Sequence, residues 1–208
     1  MNTFPADIWT EPEPNADTLA ELGPLRPLAG IWRSAEGMDV NPKEHGPERQ
    51  PYVERMELQP IDAQPNGPQL YYGLRYHTHI VKPGEVLTLH DQVGYWLWEP
   101  ATGTLIQTLS IPRGQTALAI GHAAADAREF QLEAVRGATS NGISSNPFLE
   151  HAFRTDRYRI SVTVHDDGSW SYAQETVLTI HGQTEPFLHT DHNRLVKIAD
   201  PTPNPTAR

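Results

Sequence analysis

From residue 30 onward the chain runs in short segments rich in Tyr, Trp, Val, Ile, Leu and Thr, separated by clusters of Gly, Pro, Asn and Asp. Those residue types suit a pleated, half-buried surface, and helical periodicity of useful length is nearly absent after residue 24. Turn signals stand at Pro65-Asn66-Gly67-Pro68, Lys82-Pro83-Gly84-Glu85, Pro100 to Gly103, Arg113-Gly114, Asp166-Asp167-Gly168-Ser169 and His181-Gly182. The segments between them predict strands over 30–38, 51–60, 69–81, 85–98, 104–112, 115–122, 128–136, 148–154, 157–165, 169–181 and 185–198. Consecutive antiparallel strands with short turns predict an all-β fold, a single up-and-down barrel of about ten strands (calycin or lipocalin-like), because closure removes the exposed edges of an open sheet.

The predicted strand 85–98 places Thr88, His90, Gln92, Gly94, Trp96 and Trp98 on one face. Leu87, Leu89, Asp91, Val93, Tyr95 and Leu97 fall on the other. Both faces mix polar and apolar residues, as the wall of a barrel with a partly polar lumen does. A sandwich whose outer face meets a partner is the alternative.

Residues 1–24 read as a lead segment. Thr18 to Glu21 has capping-box spacing and Gly23-Pro24 stops a helix quickly, so a short helix is expected near 17–23. Residues 25–198 form the ligand-binding barrel domain, and 199–208, with prolines at 201, 203 and 205, form an extended or disordered tail. The small, polar connection from Gly137 to Asn146 is either the lid of a cavity or a plain surface loop.

Composition narrows the function classes. A formal net charge of −10 over 208 residues argues against a nucleic-acid partner. With no cysteine, disulfides, thiolate metal sites and a cysteine nucleophile are all excluded. The N-terminus lacks a basic start with an apolar core, and no run approaches the ~18 apolar residues of a spanning helix, so a cytoplasmic protein without a membrane partner is expected. The expected partner is a small-molecule ligand, bound by a monomer or a homodimer.

Candidate chemistry lies in the aromatics and histidines. Gly30-Ile31-Trp32 opens the strand series, where a Trp closes one barrel end and a Gly admits close backbone approach. His77 and His79 share one face of a strand with Arg75, and His90 lies on the next strand, near enough for the three imidazoles to converge on a metal; otherwise they are ordinary polar lumen or surface residues. The His-x-His also suggests a cupin-like metal enzyme, although Glu85 comes six residues after His79 instead of three or four. Glu54 and Glu57 fall on opposite faces and read as surface salt-bridge partners of Arg55 and its neighbours. No nucleophile elbow, Walker loop or dinucleotide fingerprint is present.

Gly30-x-Trp32, the run His90-Asp91-Gln92-Val93-Gly94-Tyr95-Trp96, and a last strand with histidines before Leu195-Val196-Lys197 together resemble the nitrobindin family. These are THAP-type heme-binding barrels of fatty-acid-binding-protein-like architecture, and the overall look is that of a longer bacterial branch, with the resemblance covering residues 24–198. The resemblance implies a barrel that holds heme b and, if it is an enzyme, nitric oxide chemistry and peroxynitrite isomerisation at ferric heme. It implies His189 as the iron ligand, with His192 as a second candidate beside the ligand. His90 matches the family's distal-side histidine, with His77, His79 and Trp96 on the same cavity and Gly30 and Trp32 at its start. The family motif continues with glycines where Ser34 and Glu36 stand here, and Gly37 lies one residue further. Thr190 stands where the family places its ligand, so His189 needs a bulge to come into register. A carrier of an apolar or acidic small molecule without heme is the alternative function. A partner-binding barrel, with Trp and Tyr marking its interface, is a third class.

Overall fold

The computed structural model describes residues 4–203. Strands β1 (Gly30–Lys43), β2 (Gly46–Pro60), β4 (Gln69–Val81), β5 (Thr88–Glu99), β6 (Thr104–Ile111), β7 (Gln115–His122), β8 (Glu129–Val135), β10 (Phe153–Val164), β11 (Trp170–Ile180) and β12 (Phe187–Ala199) form a closed ring. Each pairs antiparallel with its successor in this series, β1 pairs with β12, and β2 pairs directly with β4. Every long strand therefore has two neighbours and no edge remains. Two short strands patch the wall: β3 (Gln64–Asn66) lies against β4, and β9 (Ile143–Ser145) against β7. The β7–β8 seam holds only Ile120↔Glu133 and Gly121↔Leu132, and β9 covers the other half of β7. The expected all-β, ten-stranded barrel is what the chain forms. Among the described residues no helix is long and apolar enough to cross a membrane.

One barrel end is plugged. A 3-10 helix (Ala20–Leu28) replaces the α-helix expected near 17–23, because Pro24 and Pro27 remove N–H donors and Gly23 turns the chain with φ +52°. Its Leu22, Leu25 and Leu28 are fully buried. Trp32, also fully buried, donates from Nε1 to the Leu28 carbonyl at 2.8 Å and meets Trp170 edge-on at 6.0 Å. Gly30 has φ +136°, and a Cβ there would lie 2.7 Å from the Ala199 carbonyl oxygen. Gly30 thus lets the first strand close against the last, and Trp32 fills the end that the helix caps.

At residues 147–152 the expected strand over 148–154 is instead a helical turn, α1 (Pro147–Ala152), with β10 starting at Phe153. Asn146 caps it, its side chain accepting from the N–H groups of Phe148 and Leu149, and Pro147 takes the first turn. Local capping overrode the apolar pattern. The Gly137–Asn146 connection is not free chain throughout, since Ile143–Ser145 is β9. At the chain's end Thr202 N–H donates to Gln59 Oε1 at 2.6 Å. Residues 204–208 of the expected tail and 1–3 of the lead lie outside the described residues.

Candidate functional site

The inward faces of seven strands build the site, with Gln107 from β6 and Ile160 from β10 beside residues of β2, β4, β5, β11 and β12. On β2, Tyr52, Glu54, Met56 and Leu58 alternate inward. On β4 the inward row is Leu74, Tyr76, Thr78 and Ile80, and on β5 it ends in Trp96 and Trp98. β11 contributes Trp170, Tyr172 and Gln174, and on β12 Asn193 and Leu195 are buried with Asp191 on the same side. The cavity they enclose measures about 30 Å³. That is room for a molecule of only a few non-hydrogen atoms, since a single water already needs roughly 10–15 Å³ of such space.

Glu54 sits at the centre and is fully buried, where the sequence had suggested a surface salt bridge. The inward parity of Tyr52, Met56 and Leu58 carries it inside. Its Oε2 accepts from Tyr172 Oη at 2.7 Å and from Asn193 Nδ2 at 2.6 Å. Tyr172 and Tyr52 hydroxyls lie 2.9 Å apart, and Tyr52 donates to Asp191 Oδ1 at 2.8 Å. Asp191 Oδ2 accepts from Gln174 Nε2 at 3.1 Å. Glu54, Tyr172, Tyr52 and Asp191 thus form a chain of three oxygen–oxygen contacts, each needing a hydrogen. The two phenols supply two. The third can come only from a protonated acid, which then donates to its tyrosine in place of accepting, so the chain is complete only when one of its two acids is neutral. Burial acts in the same direction, pushing Glu54 up to about 7 and Asp191 up to about 6. Burial, then the two nearby carboxylates, raise the Tyr172 and Tyr52 hydroxyls as well.

A second polar string runs along β5 and β4. His90 Nε2 lies 3.2 Å from Gln92 Oε1, and Gln92 Nε2 donates to Tyr76 Oη at 2.7 Å. The glutamine's oxygen is therefore the acceptor and the His90 ring nitrogen the donor. Burial holds the His90 imidazole below its usual range, favouring its neutral form. Tyr76 passes its hydrogen to the Thr108 carbonyl at 3.2 Å.

Four buried polar atoms on this cavity have no hydrogen-bond partner among the described residues: Glu54 Oε1, Thr78 Oγ1, Trp96 Nε1 and Trp170 Nε1. An unsatisfied buried group costs about 1–3 kcal/mol. Four around one cavity mark a place built to bond something polar.

A larger depression, about 570 Å³, lies outside the barrel over β2, β4, β5 and β6. It is open, and its His77 and Glu57 are engaged by Asp91 at 2.9 Å and by Arg55 at 3.2 Å. The interior is the better-built site, because four of the buried polar atoms that lack partners among the described residues are there.

The predicted site residues separate along these lines. His90 and Trp96 line the cavity. His77 and His79 do not converge with His90, because Tyr76, Thr78 and Ile80 take the inward positions of β4 and send the histidines outside, against Asp91 and Thr88. His192 also faces outward, between the inward Asp191 and Asn193. Gly30 and Trp32 belong to the plugged end and do not line the cavity. Among the described residues no three His, Asp or Glu side chains are grouped to hold a metal ion. His189 shares the parity of Asp191, Asn193 and Leu195, and β11–β12 pairing is continuous, so no bulge in β12 is involved. Its Nε2 lies 2.6 Å from Asp39 Oδ1. Although burial pushes Asp39 upward, hydrogen bonds from His189 and Asn41 hold its carboxyl below the usual range.

The irregularity falls in β1. Ser34 pairs with Glu54 and Gly37 with Tyr52, three residues along β1 against two along β2, a β-bulge. The bulge lodges Gly37 under the Tyr52 ring, where a Cβ would approach to 2.1 Å. Gly37→Ala is expected to push Tyr52 off the acid chain and to destabilise the fold by about 1–3 kcal/mol, read from denaturant unfolding.

Sequence reasoning missed Glu54, Tyr52, Tyr172, Gln174, Thr78 and Trp170 as site residues. Their signal was parity: all but Trp170, itself apolar, stand two or four residues from a plainly apolar inward residue on their strand.

Ten strands closed around a polar interior define a small-molecule-binding β-barrel. The chain belongs to the family described as the THAP4-like, heme-binding beta-barrel domain, whose model matches residues 21–197. Among solved structures it is similar to Rv2717c from M. tuberculosis, at 20% identity and a TM-score of 0.59, covering 87% of this chain and 97% of that one. That likeness speaks to the fold. No curated protein sequence matches.

The family description makes heme the first group to test against these residues. Pockets for ligands of that size run roughly 300–1,000 Å³ and are mostly apolar. The enclosed interior measures about 30 Å³ and carries two acids on its wall. His189, the ligand that the resemblance implied, has its Nε2 occupied by Asp39. The residues present do not fit a porphyrin in the interior.

Proposed function

We propose that this protein is a small-molecule-binding barrel that takes a compact polar ligand into its interior, beside Glu54, Thr78, Trp96 and Trp170. The observation that carries this reading is the convergence of four unpartnered, buried polar atoms on one cavity. A ligand that bonds to them removes a desolvation cost that the folded chain otherwise bears. Trp96 and Trp170 stand in the cavity wall, so entry of a ligand is expected to shift tryptophan emission and raise the melting midpoint. A panel of small polar molecules, read both ways, tests it. A panel in which no member moves either signal assigns the cavity to water and overturns the proposal.

The family match favours a second reading: heme b with nitric oxide or peroxynitrite chemistry, held from His189 at the rim. It requires the His189–Asp39 pair to open, since that contact occupies the ring nitrogen. Titration with hemin separates the two. A Soret band that disappears in His189→Ala carries the heme reading, and one indifferent to His189 removes it.

A further inference from the structure

The same interior also specifies what kind of molecule it holds, an argument that rests on the interior-site reading above. Its wall contains Glu54 and Asp191 and no lysine or arginine. Four aromatic residues, Tyr76, Trp96, Trp170 and Tyr172, stand on it, and its one imidazole, His90, is held toward the neutral form by burial. Carboxyl groups with aromatic faces and no competing cation are the chemistry that recognises ammonium ions. The chain's net charge of −10 adds a long-range attraction for cations. Carboxylate ligands meet no positive charge on this wall.

The unpartnered atoms refine the class. Glu54 Oε1 is an acceptor on a fully buried side chain, and Thr78 Oγ1 accepts as well. Trp96 Nε1 and Trp170 Nε1 are donors, and an ammonium group has no lone pair to offer them. The ligand must therefore carry an acceptor in addition to its charge. A volume of about 30 Å³ limits it to a few non-hydrogen atoms.

We infer that the barrel interior binds a short amino alcohol in its protonated form, the ammonium against Glu54 Oε1 and the hydroxyl receiving an indole N–H.

Isothermal titration of the full chain at pH 7.5 with ethanolamine, ethylamine, ethylene glycol and glycolate tests this. Ethanolamine is expected to bind one to one, ethylamine several-fold more weakly, and the glycol and glycolate not at all. Glu54→Gln is expected to weaken ethanolamine at least tenfold, and Thr78→Val several-fold. The ligand series uses the unmodified protein, so the outcome does not depend on either variant folding. Glycolate or ethylene glycol binding as tightly as ethanolamine overturns the amino-alcohol inference and leaves the interior site standing. Ethanolamine binding that is unchanged in a folded Glu54→Gln overturns it too. If ethanolamine fails while another small polar molecule shifts tryptophan emission, the inferred class is wrong and the site is right. If every molecule fails, both are wrong.

Discussion

Between pH 5 and pH 8 the wild-type protein is expected to lose about 2–3 kcal/mol of stability relative to Glu54→Gln. Burial raises the Glu54 carboxyl from its ordinary value of about 4.5 to about 7. In that window the folded chain holds a proton that the unfolded chain has released, so folding takes up protons. The stabilisation is complete below about 4.5 and is lost as pH rises through about 7. Asp191, raised to about 6, acts with the same sign, and the shared hydrogen-bond chain couples the two. His90 acts against them, because its buried imidazole resists protonation and costs stability as pH falls below about 6.5. Measuring the difference between wild type and Glu54→Gln cancels that term. Thermal melts across the range read the effect, which corresponds to roughly 5–10 °C for a chain of this size. Parallel pH curves for the two proteins would mean that Glu54 ionises freely in the folded state.

Trp32→Ala is expected to cost about 3–5 kcal/mol and to lower the melting midpoint by roughly 10 °C. Trp32 is fully buried, meets Trp170 edge-on and donates to the carboxyl-terminal residue of the 3-10 helix. Its removal leaves a cavity under the plug and strands the Leu28 carbonyl. Lys197, whose ammonium lies 5.1 Å from the Trp32 ring centroid, loses that aromatic face. Denaturant unfolding gives the number directly. A cost under about 1 kcal/mol would mean that the leucines of the helix close this end without the indole.

The barrel was legible because its signal is local and repeated. Turn residues and β-forming segments mark most strands to within a few residues, and parity in β5 already grouped His90, Gln92 and Trp96. The α1 turn escaped because Phe148 and Leu149 look like strand residues, while the cap that decides the matter is a single side chain, Asn146. The histidines stayed undecided for a different reason. His77 and His79 lie one step out of phase with Tyr76, Thr78 and Ile80, and that step moves a side chain through the wall. The sequence left these histidines open between a metal cluster, the lumen and the surface, and the register of β4 decides for the surface.

By itself the sequence determined the container. Alternation, turn spacing, and a glycine and tryptophan at the start of the first strand are constraints that neighbouring residues impose on one another. The contents were decided only by tertiary structure. Glu54 lies 118 residues from Tyr172 and 139 from Asn193, and closure alone brings the three together. The β1 bulge that seats Gly37 beneath Tyr52, and the Asp39 that holds His189, depend on the same closure. A buried carboxyl takes its character from how completely water is excluded and from which partners face it across the barrel. Both follow from the ring of ten strands as a whole, and a stretch of chain read alone contains neither.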